Sequence, residues 1–364
     1  MFHTIITLSY LIPGIYLFAR LWQLFIPREY ALLYIAIFAL IFSVYPLGNS
    51  LNERSITGDA IRTLSGWLLP FLLYVFLLVI VLDILLLFNF LLKLQLLNRY
   101  IATHKVVCLG GILSVAALIV VAGIINFNTI RITKYEVEIP RKASSVESLR
   151  IAFVSDFHLE EKVPPGFVRN FARKVQEARP DILLYGGDIV EGRGENIELF
   201  EGILRSIKPA YGTFGVMGNH DRFTNYRDNF FLRSGITLLT DSVVVFKDKF
   251  ILAGRLDNPG RRADIKELLN KIRQDLPLII MDHRPVDYDN ISETGADIVF
   301  SGHTHKGQMF PINLYIRSLY ELSYGYLQKR NTHFFVSSGI RLWGPPVRTT
   351  GKSEIVILDV VFTK

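Results

Sequence analysis

The chain has 364 residues, half of them hydrophobic, with a net charge of +7 at neutral pH. Seven Lys or Arg and four acids fall within residues 1–130, leaving 33 basic and 29 acidic residues to the rest, so there is no concentrated basic stripe and no nucleic-acid footprint. The single cysteine, Cys108, excludes an intramolecular disulfide and a thiolate metal site, so any metal must be held by nitrogen and oxygen ligands.

Four apolar runs open the chain, from Thr4 to Ile26, Ala31 to Leu47, Trp67 to Leu92 and Val106 to Phe127. Each approaches the roughly 20 helical residues needed to cross a hydrocarbon core. Residues 1–130 are therefore expected to form a transmembrane module of about four helices, with polar breaks at Gly48 to Ser65 and at Lys93 to Lys105. Met1 to Thr4 carries no Lys or Arg and no small-residue cleavage site follows, which speaks against a cleaved signal peptide. Arg54, Arg62, Arg131, Lys134, Arg141 and Lys142 flank one side of such a bundle; Arg28, Lys93, Arg99 and Lys105 flank the other, with Arg20 within snorkelling reach of it. The excess places the second half of the chain on the cytoplasmic side of the membrane, the plasma membrane of a bacterium being the expected location. Asp83, inside the third run, is a costly residue there and reads as an acid turned to the bundle interior.

After Phe127 the pattern changes. Thr129 to Ile139 alternates as an amphipathic strand, so residues 131–148 read as a linker with a first strand and residues 149–364 as the catalytic domain. Short apolar runs at Leu149 to Val154, Asp181 to Tyr185, Thr213 to Met217, Leu278 to Met281 and Asp297 to Phe300 read as buried strands. Gly166 to Ala178, Ile197 to Ile207 and Ala263 to Arg273 have helical spacing. Val243 to Phe246, Phe250 to Ala253, His333 to Val336 and Ile355 to Val361 add strands without helices between them. The expected class is α/β with a second, mixed sheet.

Residues able to bind metal cluster just beyond these strands. They are Asp156 and His158 in Ser155-Asp-Phe-His158, Asp188 in Gly186-Gly-Asp188, Asn219 and His220 in Gly218-Asn-His-Asp221, His283, and His303 with His305 in Gly302-His-Thr-His305. Taken singly, each has an ordinary structural reading as a turn carboxylate or a buried histidine. Taken together, five of the chain's eight histidines lie in segments that follow strands, and open α/β sheets bind ligands outside the carboxyl ends of their strands. An oxygen and imidazole set of this kind suits Mn, Fe or Zn.

This series, in this order, resembles the calcineurin-like metallophosphoesterase superfamily over residues 135 to 364. The Gly302 to Gln308 segment and the apolar first half look like its branch of transmembrane proteins with a metallophosphoesterase domain, related to members that cleave UDP-2,3-diacylglucosamine. Lys306 stands where that branch has glycine, a cation with consequences for substrate preference. The resemblance implies an α/β/β/α sandwich of two mixed sheets and two divalent metal ions. It implies Asp156, His158, Asp188 and His305 on one ion, and Asp188, Asn219, His283 and His303 on the other, with Asp188 shared. Two such ions activate water at neutral pH and stabilise the attacking and leaving oxygens of an in-line displacement. His220 is implied as the catalytic residue that protonates the leaving oxygen. The segment Gly339 to Arg348 also resembles the branch, and Arg341 and Arg348 have phosphate-binding or purely structural readings.

The expected function is that of a membrane-anchored phosphodiesterase or pyrophosphatase acting on a lipid-linked or nucleotide-lipid phosphoester. A membrane sensor that binds metal without turnover, a phosphomonoesterase and a nuclease are the alternatives, the last without basic or aromatic support. The lipid bilayer and a small phosphoester or lipid-linked substrate are the expected partners, and the sequence carries no signal of an oligomeric state.

Overall fold

The computed structural model describes residues 2–51, 56–191, 197–221, 227–257, 262–270, 272 and 275–363. Arg54 and Arg273 lie outside the described residues. By internal contacts the chain divides into Met1–Ile125 with Gly344–Thr349, and Asn126–Trp343 with Thr350–Lys364.

The first unit is helical: α1 (Phe2–Phe25), α2 (Ala31–Ser50), α3 (Ile56–Leu91), α4 (Leu96–Thr103) and α5 (Lys105–Asn128), the last three residues of which belong to the second unit. Among the described residues three segments are long and apolar enough to cross a membrane, Arg28–Gly48, Thr57–Leu91 and Lys105–Asn128, against the four expected. The polar break expected from Gly48 to Ser65 is much shorter. Helix α2 continues to Ser50, and the polar residues from Thr57 onward are already the first turns of α3. Asp59 lies in that first turn, where the helix dipole favours an acid. The second break, Lys93 to Lys105, contains α4 rather than a plain loop. Lys93 and Gln95 adopt left-handed backbone conformations, with φ of 55° and 53°, and turn the chain between α3 and α4.

Arg20 does not snorkel to the surface. Its Nε donates to Asp83 Oδ1 at 2.7 Å and to Oδ2 at 2.9 Å, and the Tyr16 hydroxyl donates to the same carboxylate. Asp83 on α3 thus faces α1 in a closed polar cluster, and its charge is matched inside the bundle. Replacing Asp83 with Asn is expected to lower the stability of the purified full chain by about 1–2 kcal/mol. Thermal unfolding in detergent measures this, and an Asp83→Leu, Arg20→Met pair recovers most of the loss.

The segment Gly344–Thr349 packs with these helices although it lies far along the chain. Pro346 meets Gly66, Arg348 donates its backbone N–H to the Gly123 carbonyl at 3.1 Å, and the hydroxyls of Thr349 and Tyr74 are hydrogen-bonded. Gly123 permits this approach, since a Cβ there would stand 2.6 Å from Val347 Cγ1.

The second unit contains β1 (Ile130–Pro140), β2 (Ser148–Val154), α6 (Pro165–Ala178), β3 (Ile182–Tyr185), α7 (Glu198–Arg205), β4 (Thr213–Gly215), α8 (Arg227–Arg233), β5 (Thr237–Leu238), β6 (Ser242–Phe246) and β7 (Phe250–Gly254). It continues through α9 (Ile265–Leu269), β8 (Leu278–Met281), α10 (Tyr288–Ser292), β9 (Ile298–Ser301), α11 (Ile312–Leu319), β10 (Gly325–Lys329), β11 (Thr332–Val336) and β12 (Ser353–Thr363). Two six-stranded sheets form, in the orders β1-β12-β2-β3-β4-β5 and β10-β11-β9-β8-β7-β6. Both are mixed: β2, β3, β4 and β5 run parallel beside an antiparallel β12, and β7, β8, β9 and β11 run parallel between antiparallel β6 and β10.

The sheets face each other across a core that includes Phe153, Leu184, Leu252, Ile279 and Phe300, with the Phe153 and Phe300 rings stacked 4.8 Å apart. Helices α6, α7 and α8 cover the outer face of the first sheet through Phe171, Phe200 and Phe230. Helices α9 and α10 cover the outer face of the second through Ile265, Leu269, Tyr288 and Ile291. The result is an α/β/β/α sandwich. Strands buried on both faces need apolar residues at every position, which is why these runs are short, continuous and rich in Ile, Leu and Phe. Strand β4 stops at Gly215, two residues before its expected end, and α9 covers only part of the helix expected over Ala263 to Arg273.

Candidate metal centre

The parallel strands β2, β3 and β4 of one sheet and β8 and β9 of the other all deliver their next residues to the same end of the sandwich. Backbone bonds between these loops hold the arrangement. Asp156 N–H donates to the Gly187 carbonyl, His158 N–H to the Asp188 carbonyl and Gly302 N–H to the His283 carbonyl, each at 2.9 Å. Asp156, His158, Asp188, His303 and His305 have positive φ, between 44° and 69°. Non-glycine residues rarely adopt such angles, and runs of them mark sites where surrounding structure over-determines the backbone.

Three groups result, each with one carboxylate and two imidazoles whose ligand atoms lie within 4.8 Å of one another: Asp156, His158 and His305; Asp188, His283 and His303; and His158, Glu191 and His220. Asp188 Oδ2 is 3.1 Å from His283 Nε2, while its Oδ1 accepts the His220 backbone N–H at 2.8 Å. Asp156 is fully buried and its carboxylate accepts the His303 N–H at 3.1 Å. Bare backbone makes room for both acids. A Cβ on Gly218 would fall on Asp188 Oδ1, and one on Gly302 would fall on Asp156 Oδ2.

His158 Nδ1 is 2.6 Å from Glu191 Oε2, and His283 Nδ1 is 2.7 Å from the Gly186 carbonyl. In both rings Nδ1 faces an acceptor and carries a proton; in His158 this leaves Nε2 with the lone pair of the neutral ring, whereas Asp188 outweighs burial and raises the His283 ring to about 10. While His283 Nε2 faces Asp188 Oδ2, His158 Nε2 and Asn219 Oδ1 are shielded from water and have no hydrogen-bond partner among the described residues. Buried acceptors are rarely left so. Two orphaned atoms with free lone pairs, and a third imidazole nitrogen turned to a buried carboxylate, fit divalent cations, and the absence of sulfur restricts them to ions that accept oxygen and nitrogen.

Glu191 lies outside the motifs that the sequence presents. Its Oε1 takes His220 Nδ1 at 3.0 Å, so one carboxylate clamps His158 and His220, whose rings meet edge to face at 4.9 Å. The signal was a second acid three residues after Asp188, but alternation does not place it on the site. An isolated parallel bridge between Leu159 and Val190 does, with Glu191 N–H bonded to the Leu159 carbonyl at 2.9 Å. Asp221 also acts from behind. Fully buried, it accepts from the Ile189, Val190 and Gly218 N–H groups at 2.8 to 2.9 Å and ties the Asp188 and Asn219 loops together.

The electrostatics follow from this packing. Burial alone would raise the Glu191 carboxyl, but the hydrogen bonds from His158 and His220 outweigh it and hold the group at about 2. Burial likewise opposes the charge on Asp188, and His283 and the neighbouring imidazoles overcome it, so it stays well below the usual carboxylate range. His220 is raised, burial being outweighed by the Glu191 bond and by Asp188. His303 is pushed down to about 3 by burial and by His283.

Of the two arginines with phosphate-binding readings, Arg341 lies over the Phe127 and Phe167 rings at 4.6 and 5.0 Å, and Arg348 is fully buried within the segment that packs with the helices. The Lys306 ammonium rests over the Tyr324 ring at 4.2 Å.

Residues 149–307 match the calcineurin-like phosphoesterase family model. The chain carries a metallophosphoesterase domain. An uncharacterized metallophosphoesterase of Helicobacter pylori is 31% identical over 224 residues, covering 59% of this chain and 60% of that protein. A transmembrane protein with metallophosphoesterase domain from Danio rerio is 29% identical over 287 residues, 72% of this chain and 66% of its own length. The UDP-2,3-diacylglucosamine pyrophosphatase LpxG of Chlamydia trachomatis is 25% identical over 233 residues, 50% of this chain and 71% of that one. The match spans about three fifths of the length of the Helicobacter relative. The matched domain holds all eight residues singled out from the sequence: Asp156, His158, Asp188, Asn219, His220, His283, His303 and His305.

Proposed function

We propose that this chain is a membrane-anchored, metal-dependent phosphoester hydrolase, a phosphodiesterase or pyrophosphatase acting on a lipid-linked phosphoester of the kind exemplified by UDP-2,3-diacylglucosamine. The observation that carries the reading is the pair of triads built on Asp156 and Asp188, with the buried, unpartnered His158 Nε2 and Asn219 Oδ1 among the candidate ligands. In this reading Asp156, His158, Asp188 and His305 hold one divalent cation, and Asp188, Asn219, His283 and His303 hold the other. Such ions supply Lewis-acid stabilisation of phosphoryl oxygens and an acidified water.

The chain's own side chains do the rest. Glu191 accepts from His220 Nδ1, which fixes the ring and leaves Nε2 to hand a proton to the leaving oxygen. Glu191 also fixes the His158 tautomer so that Nε2 is its free donor, an outer-shell arrangement that commonly changes metal affinity or activity about 10–100-fold when removed. The lipid substrate is supported by the apolar helices and by the likeness to a pyrophosphatase of a diacylated sugar nucleotide. Helix α1, 24 residues long, supplies the fourth span of a multi-pass module, with the hydrolase domain cytoplasmic by the excess of flanking cations.

The purified full chain, supplied in parallel with Mn, Fe or Zn, is tested on a nucleotide-lipid pyrophosphate, a simple phosphodiester and a phosphomonoester. Metal-dependent release is expected, with the pyrophosphate or diester favoured over the monoester by at least about tenfold in kcat/KM. Preference for the monoester would make it a phosphomonoesterase, and absence of turnover on every arm with every metal would leave the sensor reading.

A further inference from the structure

Helix α11 follows the His303 to His305 loop by only six residues and buries none of its own side chains. Its Ile312, Tyr315 and Leu319 lie at i, i+3 and i+7, one face of a helix, and are 41%, 63% and 54% exposed. Phe310, just before it, is 49% exposed and Leu314 is 55% exposed. An amphipathic helix of a water-soluble domain turns this face to the core. Here the core clusters of the sandwich include none of these residues.

The helix is also held tightly to the site. Gly307, two residues after His305, has φ of 70°, and a Cβ there would fall on the Asn313 backbone. Thr304 and Gly307 are joined by a 2.8 Å backbone bond, and Asn313 N–H bonds the Met309 carbonyl at 3.1 Å. The exposed face and the histidine loop therefore form one rigid piece.

We infer that α11 lies in the surface of the lipid bilayer, with Phe310, Ile312, Tyr315 and Leu319 at the boundary of headgroups and acyl chains. The occupant is lipid because the same chain carries three helices long and apolar enough to cross a membrane, and the domain follows the last of them directly in sequence. The composition fits an interfacial helix: aliphatic and aromatic residues on one face, with Arg317 exposed on the other side to meet anionic headgroups. Such a helix brings the His303 and His305 loop to headgroup depth, where the phosphoester of a membrane lipid lies. This substrate role rests on the proposed hydrolase function; the membrane contact does not.

The test uses the full chain in nanodiscs of phosphatidylcholine and phosphatidylglycerol, with Cys108→Ser as background. A bimane probe on Leu319→Cys is compared with one on Lys247→Cys, an exposed residue in the turn between β6 and β7. Nitroxide-bearing lipids are expected to quench the first at least about twofold more than the second. Equal or absent quenching overturns the inference, as does a cross-link between two α11 faces at the same position, which would make the face a contact between copies. An Ile312→Ser, Leu319→Ser variant reads the substrate role. The ratio of kcat/KM on a disc-embedded lipid phosphoester to that on a soluble phosphodiester is expected to fall about tenfold. An unchanged ratio overturns that role. If the unaltered protein hydrolyses nothing, the hydrolase reading fails while the quenching result still stands or falls by itself.

Discussion

Asp188→Asn is expected to lower kcat by about a thousandfold, equivalent to about 4 kcal/mol of lost transition-state stabilisation. The side chain is buried and both its oxygens are used, one by the His220 N–H and one facing His283 Nε2. An amide of the same shape presents a donor to one of these neighbours and removes the negative charge that two cations would share. Metal content is expected to fall from about two ions per chain to one or fewer, measured by elemental analysis after dialysis alongside steady-state turnover. Retained turnover with both ions lost would eliminate the shared-carboxylate assignment, and a wild-type chain that binds metal without turnover would favour the sensor reading.

His220→Ala separates chemistry from metal binding. Its ring hangs from the loop that carries Asn219 and groups with His158 and Glu191, apart from the two triads built on Asp156 and Asp188. Metal content is expected to remain nearly normal while kcat falls about 100-fold or more, the usual worth of a positioned proton donor. Glu191→Gln should lower activity about 10–100-fold, and unlike His220→Ala it should also weaken metal retention, because Glu191 orients His158 as well. Raising the pH should not rescue His220→Ala, whereas a leaving group that departs without a proton, such as p-nitrophenolate, should partly rescue it. Equal loss of metal and turnover in His220→Ala would reassign that histidine as a ligand.

The two variants touch neighbouring residues with different visibility in the sequence. His220 lies beside Asn219 in a motif whose glycine, amide and imidazole sit directly after an apolar strand. Glu191 lies three residues after Asp188 in a segment that is not helical, so neither alternation nor helical spacing places it, and it reaches His158 where Leu159 and Val190 pair across two loops. Asp221 was visible as part of its motif, yet its use as an acceptor for three backbone N–H groups depends on loops far apart in the chain. Asp83 was legible as an acid turned inward, whereas its partner Arg20 was read as a snorkelling residue. Partners sixty residues apart on separate helices have no local signature.

By itself the sequence determined the existence and type of most elements and the position of the polar motifs at the ends of buried strands. Hydrophobic periodicity is a local property, and strands buried on both faces leave an unmistakable continuous run. It also determined the donor chemistry, since one cysteine and a series of Asp, Asn and His residues admit only nitrogen and oxygen ligands. Tertiary structure decided how the strands divide between two sheets and how the motifs group, with Glu191, into carboxylate and imidazole triads. It likewise decided that six late residues pack with the apolar helices and that the apolar face of α11 stays exposed. Each of these depends on contacts between segments distant in sequence, where pairing is chosen by the packing of the whole rather than by the propensity of any part.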